Sequence, residues 1–296
     1  MRPGIALVVT ADDFGLGPGT SQGIIRAHLE GPVTATSMMV VTGDRAGASA
    51  PLLSRVPRLE VGLHLVVTGT GERPIHDRRG SGLVSRDGHF QPLSQLFWRA
   101  LCGRLDRTAV RDEIAAQAER FVALLGRAPA YVDGHHHAHQ LPVVREALVD
   151  VINAGLLPRV SRTTCLLPGT PRTRPRTLLR QAVFQYFGSA VGKTFAAAGV
   201  SSNDSLFGML DDADWADGFP WRADLRRLDR LSAGGLVEWV VHPGLPDDSW
   251  AGRDPYVSRR PMELHALTDP ARRGEWEKWR ASLTTKATVV ALTPHA

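Results

Sequence analysis

Apolar positions along the chain fall into two rhythms. Ile5-Ala6-Leu7-Val8-Val9-Thr10 is a continuous β-branched run, as expected of a strand buried on both faces of a parallel sheet. Similar runs predict strands over Thr34–Val41, Val61–Val67, Ala130–Val132 and Leu236–Val241, with a weaker one over Arg159–Thr163 and a terminal one over Thr288–Leu292. Helical spacing intervenes. Ile24, Ile25, His28 and Leu29 place a helix from Thr20 or Ser21. Ile114, Ala118, Phe121 and Leu125 place another, from an N-cap at Thr108 to a stop at Gly126. Val144, Leu148, Val151 and Ile152 mark a third, ending near Gly155. Further helices are expected over Leu178–Ala198, around Trp221, Leu225 and Leu228, and around Trp276, Trp279 and Leu283.

Strands alternating with helices predict an α/β fold with a parallel sheet. The number of β-α units suits a β/α barrel, distorted or incomplete, better than an open sheet. The expected organisation is one domain over residues 1–296, with irregular insertions around 68–90 and 168–217. Each strand-helix-strand unit should be right-handed.

Composition narrows the picture modestly. A hydrophobic content of 43%, a charged content of 22% and a net charge of +5 describe a chain with a real core rather than a disordered one. The pI of about 9.7 does not signal nucleic acid, because the basic residues are scattered and almost all arginine. The densest basic stretch, Pro171 to Arg180, reads as an exposed loop entering a helix. Cys102 and Cys165 are the only cysteines, which fits a reducing compartment without a disulfide framework. Met1–Thr10 lacks the features of a signal peptide and no run reaches the length of a membrane span, so a cytoplasmic protein is expected.

Chemistry gathers at the C-terminal ends of four predicted strands: Asp12 and Asp13, His64, the cluster Asp133-Gly134-His135-His136-His137-Ala138-His139, and His242. Each has a plain reading alone, as a turn cap, a core histidine or a loop residue. A barrel brings such ends to one face, where active sites form. Adjacent residues leaving a strand point in different directions, so one of Asp12 and Asp13 can bind a metal while the other accepts a proton. His64 and one cluster histidine would complete a set of one carboxylate and two imidazoles, leaving open positions, which is the catalytic pattern of a metal site. An ion held there polarises a carbonyl and acidifies water. His242 is then placed to protonate a leaving group.

The motifs Ala-Asp-Asp-Phe-Gly at 11–15, Gly-Leu-His-Leu at 62–65, the histidine cluster at 133–139 and His-Pro-Gly at 242–244 resemble the YdjC family of carbohydrate deacetylases. That family includes chito-oligosaccharide deacetylases and hopanoid-associated deacetylases. The segments Gly82–Phe90 and Arg260–Leu264 add to the likeness. The resemblance implies a β/α barrel and metal-dependent removal of the acetyl group from an N-acetylglucosamine-containing sugar or glycoconjugate. It places Asp13, His64 and His135 at metal positions, Asp12 at the catalytic base, His242 at the acid and Arg162 at a substrate contact. His137 and His139 are expected to line the pocket or orient the ligands, and His136 to face the barrel wall. One divalent ion is implied; the ligand chemistry favours zinc, although relatives are often described with magnesium. Relatives also suggest a homodimer. Two rivals are a metal-dependent phosphoesterase, disfavoured by a single ion and no phosphate-cradling glycine loop, and a non-catalytic sugar-binding relative, disfavoured by the intact Asp12.

Overall fold

The computed structural model describes residues 5–69, 71–167, 175–208, 218–229, 235–247, 256–286 and 288. Its elements run β1 (Ile5–Phe14), α1 (Pro18–Glu30), β2 (Ala35–Met38), α2 (Asp44–Ser49), β3 (Glu60–Leu65), α3 (Leu93–Leu101), α4 (Arg107–Leu125), β4 (Val132–Gly134), α5 (Val144–Asn153), β5 (Val160–Ser161), α6 (Pro175–Ala197), β6 (Ser201–Ser202), β7 (Ser205–Phe207), α7 (Arg222–Leu228), β8 (Gly235–Val241), α8 (Arg260–Thr268) and α9 (Gly274–Glu277).

The eight strands form one sheet in the order β6-β5-β4-β3-β2-β1-β8-β7, and every pairing is parallel. The two edge strands are neighbours in sequence: Ser202 ends β6 and Ser205 begins β7. Three peptide steps reach at most about 11 Å, so the sheet must curl until its edges meet. A parallel bridge between Leu166 and Leu206 joins the segment after β5 to β7 and closes the wall. The architecture is the expected distorted α/β barrel.

Strand alternation gives this barrel two interiors. Leu7, Val9 and Ala11 of β1, with Val237, Trp239 and Val241 of β8, face outward into the large core shared with the helices. Val8 and Leu236 face inward with Ala35, Tyr131 and Val160 in a small apolar plug. The next inward positions toward the C-terminal ends are polar: Thr10, Asp12, Ser37, His64, Asp133, Arg162 and Glu238, all buried. A glycine makes room for the plug, because a Cβ on Gly62 would lie 2.5 Å from the Tyr131 ring.

Several expectations shift in detail. The α4 N-cap is Asp106, not Thr108; its carboxylate accepts hydrogen bonds from the Thr108 and Ala109 N–H groups, leaving Thr108 inside the first turn. Gly126 ends the helix in the left-handed conformation, as expected. Residues 71–90 carry no helix and only the Val84–Phe90 bridge. Buried Glu113 of α4 fastens that stretch by accepting from the Ile75 and His76 N–H groups. The helix expected around Trp276–Leu283 is the single turn α9 followed by a 3-10 turn, and Leu283 bridges to Leu7. The terminal strand expected over Thr288–Leu292 lies, but for Thr288, outside the described residues, as do residues 168–174 and 209–217 of the expected insertion, the first four residues of the basic stretch at 171–180 among them; from Pro175 that stretch is the start of α6. Among the described residues no helix is long and apolar enough to cross a membrane.

Candidate metal centre and active site

Asp13 departs from the strand alternation. Its φ of 72° lies in the left-handed region, which a non-glycine residue enters at a cost of about 1–2 kcal/mol. The turn sends its carboxylate away from that of Asp12. Asp13 Oδ1 lies 3.2 Å from His64 Nε2 and 3.2 Å from His135 Nδ1, while Oδ2 accepts from Arg260 at 2.6 Å. Burial alone would raise the Asp13 pKa; Arg260 and the two histidines hold it well below the usual carboxylate range.

His135 reaches this point by a second strained turn. The chain leaving β4 passes through His136 and His137 at φ of 54° and 55°. His136 does not face the barrel wall as expected: it is exposed, with its ring 3.8 Å from that of His135, because the left-handed backbone turns it outward.

Asp13, His64 and His135 form a set whose ligand atoms lie within 4.8 Å of one another. A second such set, Asp12, His64 and Asp133, is already committed elsewhere. Asp133 Oδ1 accepts from His64 Nδ1 at 2.7 Å, which leaves Nε2 as the ligand atom of the neutral ring and fixes its orientation. Without an ion, burial disfavours the charged His64 ring, but Asp133 and Asp12 overcome this and raise its pKa to about 10. One carboxylate with two imidazoles fits a first-row divalent ion.

Asp12 is held differently. Arg162 donates to both its oxygens, from Nη1 at 2.7 Å and from Nη2 at 2.9 Å, and Ser37 Oγ donates at 2.8 Å. Burial pushes its pKa up, but the Arg162 guanidinium, helped by His64 and His242, keeps it well below the usual range. Arg162 is therefore not a substrate contact. It is fully buried, and it also donates to Glu238 Oε1 from Nε at 2.9 Å and lies 2.8 Å from Asp133 Oδ2. Its guanidinium is filled by three carboxylates. His139 is likewise fully buried and does not line a pocket; its Nε2 donates to the Arg162 carbonyl at 2.9 Å and burial lowers its pKa to about 4. His137 does border a cleft, with its ring edge-on to Phe184.

His242 follows β8 directly. Its backbone N–H donates to Glu263 at 2.5 Å and its ring stacks on Tyr256 at 4.7 Å, near enough to Asp12 to bear on that charge. Glu263 of α8 is buried, which raises its pKa to about 7. Below Arg162, Glu238 Oε1 takes a second cation, Lys286 Nζ at 2.8 Å, whose ammonium lies 3.8 Å over the Tyr131 ring. Burial opposes the Glu238 charge, but Arg162 and Lys286 bring its pKa down to about 2. Sequence reasoning assigned no role to Asp133, Ser37, Glu238, Lys286 or Glu263. Glu238 carries a usable signal, as a lone charge inside an otherwise apolar strand.

A family model described as YdjC-like protein matches residues 6–278. The chain belongs to the YdjC family. Among curated YdjC relatives, a human protein named carbohydrate deacetylase is 40% identical over 290 residues, covering 93% of this chain and 88% of that one. A Vibrio vulnificus (strain YJ016) protein of the same name is 40% identical over 152 residues, 51% of this chain; that alignment spans 57% of the Vibrio protein's length. The crystal structure of a "putative cellobiose-phosphate cleavage protein" from Enterococcus faecalis V583 superposes with a TM-score of 0.75 at 23% identity, covering 97% of this chain and 99% of that one, a likeness of fold.

Proposed function

We propose that this chain is a metal-dependent carbohydrate deacetylase that hydrolyses the N-acetyl group of an N-acetylglucosamine-containing sugar or glycoconjugate and releases acetate. The names of its YdjC relatives support sugar deacetylation. The observation that carries the reading is the pair of adjacent carboxylates with separate work: Asp13 beside two imidazoles, Asp12 clamped in its charged form by Arg162.

Asp13, His64 and His135 would hold the ion. A divalent ion there would polarise the acetamide carbonyl and lower the pKa of water toward 7. Asp12 accepts the proton that water loses as its oxygen attacks the carbonyl carbon. Arg162 keeps Asp12 ready as the anion, and Ser37 and Arg162 fix its direction. The C–O bond forms and the C–N bond breaks, and His242 supplies the proton that the departing nitrogen needs to leave as a neutral amine. Asp133 holds the His64 ring so that only Nε2 faces Asp13.

The test is acetate release across a panel of N-acetylglucosaminyl compounds, comparing metal-loaded protein with protein stripped by chelation. Acetate release only by the loaded form is expected. Equal release by both forms would overturn the metal dependence, and faster phosphate release from a phosphomonoester panel would favour the phosphoesterase instead.

A further inference from the structure

Beside the metal centre runs a cleft of about 500 Å³ between α3, the histidine turn and α6. One wall is Leu93 and Phe97 of α3 and the other is Val183, Phe184 and Phe187 of α6; His136 and His137 also line it, one and two residues from His135. Most of its lining is apolar, and its polar groups are few. Thr164 Oγ1 is engaged with the Gln140 side chain at 3.0 Å and with the Phe184 carbonyl at 2.7 Å. A second sugar unit would bring more hydroxyls into this cleft than its few open polar atoms, Gln140 Nε2 and His137 Nδ1 among them, can pair, and the rest would lose their water without gaining a partner.

The apolar surface continues outward. Phe97 lies edge-on to both Trp98 and Phe187, and Phe187 to Tyr186, an aromatic chain that bridges the two helices. At the rim Trp98, Leu179 and Tyr186 are 64%, 69% and 70% exposed. Exposed apolar area gathered on two facing helices marks a binding surface, and this one leads to the histidine turn.

We infer that the cleft binds an apolar aglycone, an alkyl or similar hydrocarbon chain on the anomeric carbon of the N-acetylated sugar, while the sugar itself sits over Asp13 and His135. This rests on the deacetylase reading above and adds the class of substrate: an amino sugar carried on a lipid-like group. Adjacency to the metal centre selects this occupant: His136 and His137 line the cleft, and the His136 ring lies 3.8 Å from that of His135, so a chain leaving a sugar held over His135 meets the cleft next.

The experiment compares kcat/KM for acetate release from methyl and octyl N-acetyl-β-D-glucosaminide and from N,N′-diacetylchitobiose, with the metal-loaded protein and the octyl compound below its micelle concentration. Burying a methylene is worth about fourfold in affinity, so even partial burial of the octyl chain should raise kcat/KM at least about tenfold over methyl, chiefly through KM. Leu179→Gln, at an exposed position, and Val183→Gln should each lower the octyl-to-methyl ratio at least about fivefold. Leu29→Gln, an exposed leucine of α1, should leave it unchanged. A ratio below tenfold, or chitobiose turned over faster than the octyl compound, overturns the aglycone site while leaving the deacetylase reading intact. No acetate from any compound overturns both. A dimer that Leu179→Gln splits, together with a low ratio, would assign the cleft to a second copy of the chain.

Discussion

Replacing Arg162 by Met separates a clamp from a substrate contact. In the fold Arg162 makes five short contacts with three buried carboxylates: 2.7 and 2.9 Å to Asp12, 2.9 and 2.8 Å to Glu238 and 2.8 Å to Asp133. Removing one partner of a buried ion pair costs about 3–5 kcal/mol, because the remaining charge is left without compensation. Two of the three carboxylates keep an ionisable partner, Lys286 for Glu238 and His64 for Asp133. Asp12 keeps Ser37. The loss should therefore lie near the lower end, about 3 kcal/mol at pH 7. Urea unfolding at several pH values measures it. In the parent protein Asp12 and Glu238 titrate below their ordinary values, so the stability they provide is full above the unfolded range near pH 4 and is lost as pH falls through the folded values, about 2 for Glu238. The variant lacks that contribution, so the gap between the two proteins should narrow as pH drops below about 4. A variant within 1 kcal/mol of the parent, with a raised KM and unchanged kcat, would refute the clamp and return Arg162 to the substrate.

Asp12→Asn should leave bound metal at the parent level while lowering acetate release by roughly 10²–10⁴-fold, the range for loss of a general base; near-parent turnover would remove Asp12 from that role. His64→Ala and His135→Ala should each purify with less metal per chain by elemental analysis, and full occupancy in both would move the ion elsewhere. Glu263 is fully buried and its pKa is raised from 4.5 to about 7, so its stabilising contribution is complete below pH 4.5 and disappears as pH rises through 7. The stability of the parent relative to Glu263→Gln should then fall by about 3 kcal/mol between pH 4.5 and 8 in urea titrations; a constant difference would contradict the burial argument.

Much of the fold is legible because burial on both faces leaves a plain mark. β1 opens on a continuous apolar run, β8 is apolar but for Glu238, and α4 ends at the glycine that its left-handed cap requires. The unread elements lack such marks for identifiable reasons. β6 and β7 are two and three residues long, with serine at three of their five positions; they are strands because the barrel's edges meet there, not by propensity. α3 begins behind Pro92 without a side-chain cap, and it leaves Leu93, Trp98 and Leu101 exposed, so its apolar residues do not mark an inward face. α8 starts on Pro261 at its first turn and buries Arg260 and Glu263 beside Leu264 and Leu267, which hides the usual amphipathic pattern.

In the candidate site, the proposed ligands are easier to read than the frame beneath them. Each aspartate or histidine at a strand end has a plain structural use alone, but their recurrence at four strand ends marks the site, and the family resemblance picks out Asp13, His64 and His135. Arg162, Glu238 and Lys286 are ordinary residue types whose meaning comes from sharing one buried space, which no local spacing reveals. Strand parity connects the two levels. Val8, Thr10 and Asp12 share the inward face of β1, and Leu236 and Glu238 share that of β8, so the same alternation that builds the apolar plug also places Asp12 over Glu238 with Arg162 between them. Asp13, next in line, would point outward into the helical core. Its left-handed φ is what turns it back toward His64 and His135. The separate placement of the adjacent carboxylates, on which their proposed division of labour rests, thus follows from one residue obeying the strand period and its neighbour breaking it.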